Sequence, residues 1–410
     1  MRFSSSVISR TVRVTSAFIM VALAVTLRSS AAINVGSPPH ALSLNCPTGS
    51  FFCYQTVIEK PSDHNYVTGI NDFQEIVGAY GNPTNFKSFV GTNHDNTSQQ
   101  YTLITSGETY SGTSGSSWPT YLAGLTISQK NDISSLYQVG YVTPPGEGSE
   151  GAILFPHATS GIGTWSFIRD PNQAKSGSCA VTQVLAVDDS HIGVGFYETN
   201  PITTKSPCQQ HAFEFYSTKA FTGPYTYVDL TPGDPSGDTK DVTSSIASGI
   251  NILGDVVGTV TWKSSTSSGT GGWIYLDLEY STFCYNGNAK PSCSAGYPTY
   301  ARGINFSDVV VGNYTENGHQ NGFAITSPND ANKFSVIDIP NTTDTVLNSI
   351  TEATNTTESV HFAGWALPDG SNPKWEGIVG TCTYGHCAES GSFQRSPRYP
   401  DAVHREKARP

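Results

Sequence analysis

Four acidic residues could supply the pair of carboxylates that hydrolyses a glycosidic bond, a reaction that needs two carboxyl groups roughly 5–10 Å apart. Each of them also occupies a turn or surface position, where an acid commonly has only a structural role. Their spacing along the chain does not show whether the fold brings any two together. The four residues are Asp188, Asp189, Glu198 and Asp255.

Metal ligands are the second kind of chemistry to consider. Four histidines lie near the ends of predicted strands, and no two have the spacing of helical zinc ligands. The sequence contains no phosphate-binding loop and no G-x-S-x-G motif. We therefore predict no catalytic residue, no metal site and no cofactor. The four histidines are His157, His191, His211 and His361.

Aromatic residues could stack on sugar rings, although packing in the core is the commoner role of such side chains. The candidates are Trp118, Tyr121, Trp262 and Tyr300.

Eight cysteines follow residue 32, and an even number in an exported chain is typical of disulfides. Zinc is the rival interpretation, but no C-x-x-C pair occurs. Two short-range bridges, 46–53 and 382–387, are an alternative for the terminal cysteines. The favoured pairs are Cys284 with Cys293, Cys179 with Cys208, Cys53 with Cys382, and Cys46 with Cys387.

A glycine within an apolar stretch recurs six times, at intervals of roughly 50–60 residues. Each copy begins with a short apolar piece, such as "VTGIN" or "ARGIN", that ends in a turn residue. The glycine strand and two more β-rich pieces follow. Such a period indicates a repeat architecture. The six glycines are Gly78, Gly140, Gly195, Gly258, Gly312 and Gly364.

Four antiparallel strands in each of six copies predict an all-β fold, a β-propeller with six four-stranded blades. Copy six lacks its fourth strand, and residues 51–61 resemble the missing piece. We expect this N-terminal strand to close the ring and remove the open edges. The predicted repeat domain is 51–388, with its six copies at about 66–382. An open β-solenoid is the alternative.

The recurring turn residues and glycines have structural roles in this interpretation. Asx side chains at the end of the first strand can accept a backbone N–H two residues on. A glycine inside a strand implies that another backbone approaches closely. The predicted turn residues are Asn71, Asp188, Asn251 and Asn305.

The N-terminus has the pattern of a secretory signal peptide at residues 1–32, with arginines, an apolar run and small residues before the cleavage point. A lead-in at 33–50 follows, and the polar segment 389–410 is expected to be disordered. Cleavage would remove four arginines and leave 18 basic against 33 acidic residues, a net charge of −15. We therefore expect a secreted or periplasmic protein with no nucleic-acid partner and no membrane partner after cleavage.

The set "GIN-x-x-x-x-[IV]-VG-x-Y", "HAF" at 211–213 and "F-x-x-ID-x-P" resembles the bacterial HAF-type extracellular repeat family. Copy five carries the whole set, whereas copies two and six depart from it by insertions in the first hairpin. The resemblance covers roughly residues 51–382. It implies export and a β-repeat fold, and it implies no reaction.

Two functions follow as hypotheses. One is a secreted, monomeric binding or scaffold module for an extracellular glycan or protein. The other is a secreted carbohydrate-active enzyme, a hydrolase or lyase with carboxylates in the central funnel. The first is favoured because no acid/base signature is present.

Overall fold

The short stretches rich in valine, isoleucine and aromatic residues form strands, as expected for residues that pack well on a pleated surface. The computed structural model describes residues 52–383 apart from interior gaps. No helix in this described part is long and apolar enough to cross a membrane. The gaps are 58–61, 83, 93–101, 109, 112–116, 127–136, 145–146, 156–164, 202–206, 218–220, 222, 266, 286–292, 294–296, 326–333, 338, 340 and 352–358.

Six antiparallel four-stranded sheets form the blades of a propeller, so the predicted fold class is confirmed. Strand β1 (Phe52–Val57) comes first in the chain but belongs to blade 6. The strands of the first three blades are β2 (Asn65–Ile70), β3 (Glu75–Tyr80), β4 (Lys87–Thr92) and β5 (Thr102–Glu108); β8 (Thr120–Leu125), β9 (Gln138–Val142), β10 (Glu150–Leu154) and β11 (Trp165–Ile168); and β12 (Thr182–Val187), β13 (Ile192–Thr199), β14 (Gln209–Ser217) and β15 (Tyr225–Asp229).

The remaining blades have the same order of strands, and a small two-stranded sheet, β6 (Tyr110–Ser111) with β7 (Ser117–Trp118), lies between blades 1 and 2 in the chain. The strands of the last three blades are β16 (Val242–Ile250), β17 (Val256–Lys263), β18 (Ser268–Leu276) and β19 (Glu279–Phe283); β20 (Thr299–Ile304), β21 (Val310–Glu316), β22 (His319–Ile325) and β23 (Phe334–Ile337); and β24 (Thr342–Ile350), β25 (Ser359–Pro368) and β26 (Glu376–Thr383), completed by β1.

Strand β1 closes the ring by pairing antiparallel with β26 over its whole length. The register places Phe52 opposite Cys382 and Cys53 opposite Thr381. The proposed Cys53–Cys382 disulfide stays a prediction. Its companion pair, Cys46 and Cys387, lies outside the described residues, as do the signal peptide, the lead-in and the tail.

Apolar side chains from neighbouring blades make joint cores, so that blades stabilise one another rather than folding as independent units. One core joins Val67 and Phe89 of blade 1 to Ala363 and Val379 of blade 6. Another joins blades 3 and 4 and buries Trp273 completely. The hydrophobic core of the protein is therefore a ring of inter-blade layers.

The recurring glycine occupies the same place in the second strand of all six blades. A Cβ atom there would overlap a carbonyl oxygen of the first strand of the same blade. The strands consequently approach at a distance that only glycine permits. The carbonyl groups belong to Tyr66, Tyr121, Gln183, Ile246, Tyr300 and Val346.

Two disulfides lie within the described part of the chain. They link Cys179 to Cys208 and Cys284 to Cys293, the pairs expected from the sequence. Such bonds persist in oxidising compartments and are rare in the cytosol, so they indicate a location outside the cytosol.

Candidate functional site

The innermost strands of the six blades, β2, β8, β12, β16, β20 and β24, surround a central channel. Residues from all six line it. The end of the channel where the inner strands finish, at Asn71, Asn251 and Thr351, is called here the turn mouth. The other end, where these strands begin and where Tyr66, Tyr121, Tyr300 and Trp365 lie, is called the aromatic mouth.

The turn mouth is built from one hydrogen-bonding motif. Asn71 Oδ1 accepts the backbone N–H groups of Phe73 and Glu75 at 3.1 and 2.9 Å. Asn251 and Asn305 repeat both bonds, and Asp188 Oδ1 accepts from Ile192 at 2.8 Å. The positive φ of each turn falls three residues later, at Gln74, His191, Gly254 and Asp308.

Two further members of this motif lie in the copies whose first hairpins carry insertions. Thr126 Oγ1 accepts the backbone N–H of Tyr137 at 3.1 Å, and Thr351 Oγ1 accepts that of His361 at 2.9 Å. A hydroxyl thus replaces the Asx carbonyl in blades 2 and 6. The sequence offered "LAGLT" and "LNSIT" as a signal, in alignment with "GIN".

The asparagine amides also connect neighbouring blades. Asn71 Nδ2 donates to the Thr126 carbonyl at 3.2 Å, Asn251 to that of Asn305 at 3.0 Å, and Asn305 to that of Thr351 at 3.1 Å. All six turn side chains are at most 5% exposed. The turn mouth is therefore a buried structural girdle whose polar groups are largely engaged.

Next to this girdle, His361 is buried between blades 6 and 1. Its Nε2 lies 3.5 Å from the Gln74 side-chain amide. Burial lowers the pKa of His361 to about 4, because the charged imidazolium would lose its hydration. This histidine is neutral in the folded protein near pH 7 and packs as a core residue.

A β-bulge near the middle of every inner strand turns one residue toward the channel, since its neighbours pair with the second strand and it does not. The repeat thereby offers six equivalent channel positions. Only one of them carries a charge. They are occupied by Thr68, Ala123, Leu185, Ser248, Arg302 and Asn348.

Arg302 is half-buried and held by defined contacts. Its Nε donates to Asn313 Oδ1 at 2.7 Å, and the Asn313 amide donates in turn to Gln320 Oε1 at 3.2 Å. Its Cζ lies 5.6 Å from the ring centroid of Trp365 and 5.9 Å from that of Tyr300, within the range of cation–π attraction. Asn313 is 1% exposed, so the support beneath the guanidinium is part of the core.

Further aromatic rings surround the same mouth. Tyr66 packs edge-on against Trp365 at 5.4 Å between ring centroids, and Phe86 packs edge-on against Tyr121 at 5.1 Å. Tyr121 stacks on Tyr141 at 5.1 Å. These rings, with Tyr300, form an aromatic collar around the arginine.

The electrostatics of this mouth favour an anion. Burial raises the pKa of Tyr121 and of Tyr141, so both phenols stay neutral. Burial lowers the pKa of Arg302, but a guanidinium remains protonated in proteins. Within the described part of the chain, no carboxylate lies within ion-pair distance of Arg302. The mouth therefore presents an uncompensated positive charge among neutral rings.

The channel itself is too small to be a ligand pocket. Its volume is about 80 Å³, against ~300–1,000 Å³ for sites that enclose small molecules. A few water molecules fit, whereas a sugar ring does not. Any larger ligand must bind at a mouth and send only a small group inward.

Three of the four acidic residues suggested by the sequence, Asp188, Asp189 and Asp255, lie at the turn mouth and none belongs to the aromatic mouth. Asp188 and Asp189 line the channel near the turn mouth, and Asp255 Oδ2 accepts the Asn251 amide at 2.9 Å. Glu198 lies at the far end of its blade and accepts from Gln210 at 3.1 Å. Its other close neighbours, Cys179 and Cys208, are joined in a disulfide and cannot act as thiolate ligands.

The aromatic and histidine candidates from the sequence lie in different parts of the structure. Tyr121 and Tyr300 belong to the aromatic mouth, whereas Trp262 is 2% exposed in a core and Trp118 pairs with Tyr110 in the small sheet. His191 packs against Tyr137, and His211 stacks on Tyr197. His157 lies outside the described residues.

Arg302 is the main residue that inspection of the sequence missed. Its signal is present in the second letter of the six aligned first-strand pieces, which reads Thr, Ala, Leu, Ser, Arg, Asn. Variation in an otherwise regular repeat marks this position. Tyr66, Tyr141 and Trp365 were missed because they come from different strands.

No protein-family model matches the chain, and no curated protein matches it by sequence. Similar chains are found among the solved structures. A protein of unknown function from Dyadobacter fermentans is 11% identical, with a TM-score of 0.48, 80% of this chain covered and 98% of that chain. A subtype N11 neuraminidase-like protein from a flat-faced bat influenza virus is 8% identical, with a TM-score of 0.40 and coverages of 81% and 94%.

A third similar structure is the PQQ-bound aldose sugar dehydrogenase of Streptomyces coelicolor, 9% identical with a TM-score of 0.39 and coverages of 80% and 98%. At these identities and TM-scores the similarity assigns no function to this chain. The HAF-type resemblance stays a prediction.

Proposed function

We propose that this protein is a secreted binding module that holds an extracellular glycan at the aromatic mouth. The observation that carries the proposal is the aromatic collar around Arg302. Sugar rings have apolar faces that stack on tyrosine and tryptophan, and aromatic residues supply large contact areas at low entropic cost. The signal-peptide pattern and the two disulfides support an extracellular place of action.

Binding is favoured over sugar cleavage. Hydrolysis of a glycosidic bond needs two carboxyl groups on either side of that bond. The aromatic mouth offers phenols, amides and a guanidinium, and none of the four candidate acids is part of it: Asp188, Asp189 and Asp255 lie at the turn mouth, and Glu198 accepts from Gln210 in the outer part of blade 3. The ring of blades then acts as a rigid support for a recognition surface.

A panel of soluble plant and microbial oligosaccharides tests this function, with binding followed by calorimetry and cleavage by release of reducing ends. We expect at least one saccharide to bind without being cleaved. Trp365→Ala should weaken that binding at least tenfold, because the ring lies beside Arg302 and Tyr66. Tyr216→Ala, which removes a 38% exposed ring of blade 3, is the control and should leave it unchanged.

Cleavage of a saccharide in this panel would contradict the proposal. Failure of every saccharide to bind would contradict it as well.

A further inference from the structure

The channel position occupied by Arg302 distinguishes this site from a generic aromatic surface. Five of the six equivalent bulge positions are neutral, and the sixth places a cation where the channel meets the aromatic collar. A half-buried charge loses much of its hydration, which is costly unless an opposite charge replaces the lost water. The described residues supply no such partner.

The hydrogen-bonding capacity of Arg302 is also incomplete. A guanidinium has five N–H donors in a planar fork. The Nε donor is used by Asn313 at 2.7 Å, and no acceptor among the described residues is within hydrogen-bond distance of the two terminal nitrogens. Four donors are consequently left for water or for a ligand. A planar carboxylate is the group that matches them, by two parallel bonds.

The orientation of the fork is fixed before any ligand arrives. Asn313 is buried, and its amide is held by Gln320, so its oxygen can face only the arginine. The rings of Trp365 and Tyr300 lie within cation–π distance of the guanidinium and restrict its movement. Such preorganisation reduces the entropy cost of binding.

We propose that the ligand of the aromatic mouth is a sugar acid, a glycan end that carries a single carboxylate bound by Arg302. This inference rests on the proposed glycan-binding function. The sugar ring stacks on the collar while the carboxylate, which is small enough for the narrow channel, enters toward the guanidinium. A net charge of −11 for the full chain opposes a polyanionic polymer, so a monoanionic end is preferred over a long acidic chain.

The test uses aldobiouronic acid, a glucuronic acid linked to xylose, and its neutral methyl ester. We expect the acid to bind at least tenfold more tightly than the ester. Arg302→Gln should abolish this preference, whereas Arg302→Lys should keep part of it, since a lysine retains the charge but loses the fork. Arg169→Gln removes one exposed arginine elsewhere on the protein and should leave the preference intact.

Three outcomes are decisive. Equal binding of acid and ester overturns the sugar-acid inference and leaves glycan binding standing. Equal binding of N-acetylglycine and aldobiouronic acid overturns it too, because the carboxylate alone would then suffice without a sugar. Absence of binding by any saccharide, with thermal melting showing that each variant folds, overturns the proposed function and this inference with it.

Asn313 acts through Arg302 and is a positioning residue. Asn313→Ala should reduce the acid-over-ester preference while leaving the affinity for the ester within about twofold. A general packing defect would instead weaken both ligands alike. That second result would contradict the positioning role.

Discussion

The two mouths of the channel are formed by the same six inner strands, yet their residues differ in how they repeat. At the turn mouth, an Asx or threonine side chain occupies the same position in every blade and makes the same backbone bond. At the aromatic mouth the equivalent residues differ from blade to blade: arginine occupies one of the six bulge positions, tyrosine occupies the Tyr121 position in three blades, and Trp365 is the one tryptophan at its position.

This difference separates two uses of a repeat. Residues that recur in every blade satisfy a requirement that every blade has, such as closing a hairpin or joining the next blade. A residue that breaks the pattern at an equivalent position is not needed for the fold, because the other five blades fold without it. In a propeller, departures from the repeat are therefore the better guide to function.

Replacing a recurring glycine should have the largest effect on stability. Gly312→Ala places a Cβ against the backbone carbonyl oxygen of Tyr300, and the buried Phe323 ring crowds the same position. We expect a loss of about 3–5 kcal/mol, measured by chemical denaturation. Thr315→Ala, on the same strand, is the control and should cost less than about 1 kcal/mol. Similar costs for the two would show that the close approach is not needed.

The next largest effect on stability should come from lowering the pH, because His361 is then protonated. The histidine is neutral in the fold with a pKa of about 4, whereas its unfolded pKa is 6.5. Between pH 6.5 and pH 4, this histidine binds fewer protons in the folded protein than in the unfolded chain. Its contribution to the free energy of unfolding is therefore complete above pH 6.5 and is lost as pH falls toward 4. The loss amounts to about 3 kcal/mol, and His361→Gln should remove it.

Other groups titrate in the same pH range as His361. The difference in stability between wild type and His361→Gln therefore reports on His361 alone. Burial raises the pKa of Asp170 to about 6, so its contribution has the opposite sign and is lost as pH rises. Asp170 is present in both proteins and cancels in the difference. Parallel pH profiles for wild type and His361→Gln would exclude the role of His361.

Asn305 tests the girdle at the turn mouth. Asn305→Ala removes two accepted backbone bonds and the bond to blade 6, at a cost of about 2–3 kcal/mol. Asn305→Thr, the residue type that blades 2 and 6 carry at this position, keeps an acceptor for the turn and loses the inter-blade bond, so it should cost about 1 kcal/mol. Denaturation midpoints of the two variants give the measurement. Equal losses would mean that the inter-blade bond, and not the turn, carries the effect.

Arg302 should have the smallest effect on stability, in contrast to its effect on ligand binding. Arg302→Gln removes a half-buried charge that has no ion-pair partner in the described residues. We expect a change within about 1 kcal/mol, and stabilisation would be consistent with relief of the desolvation cost. A loss as large as that of Asn305→Ala would mean that the arginine is structural, and the contrast between the two mouths would fail.

The extent of prediction from sequence differs between the two mouths for a physical reason. The turn residues Asn71, Asp188, Asn251 and Asn305 were found because each acts within a few residues of itself, and local chemistry is visible in a local pattern. Thr126 and Thr351 escaped because insertions of several residues separate them from the N–H groups that they accept.

The sequence by itself determined the repeat, the number of blades and the completion of blade 6 by strand β1, since these depend on periodic strands and on one missing strand. Only the tertiary structure decided the aromatic mouth. Tyr121 of blade 2, Arg302 of blade 5 and Trp365 of blade 6 are brought together by closure of the ring. Each of them looks like an ordinary strand residue in the sequence, because the contacts that distinguish it come from other blades.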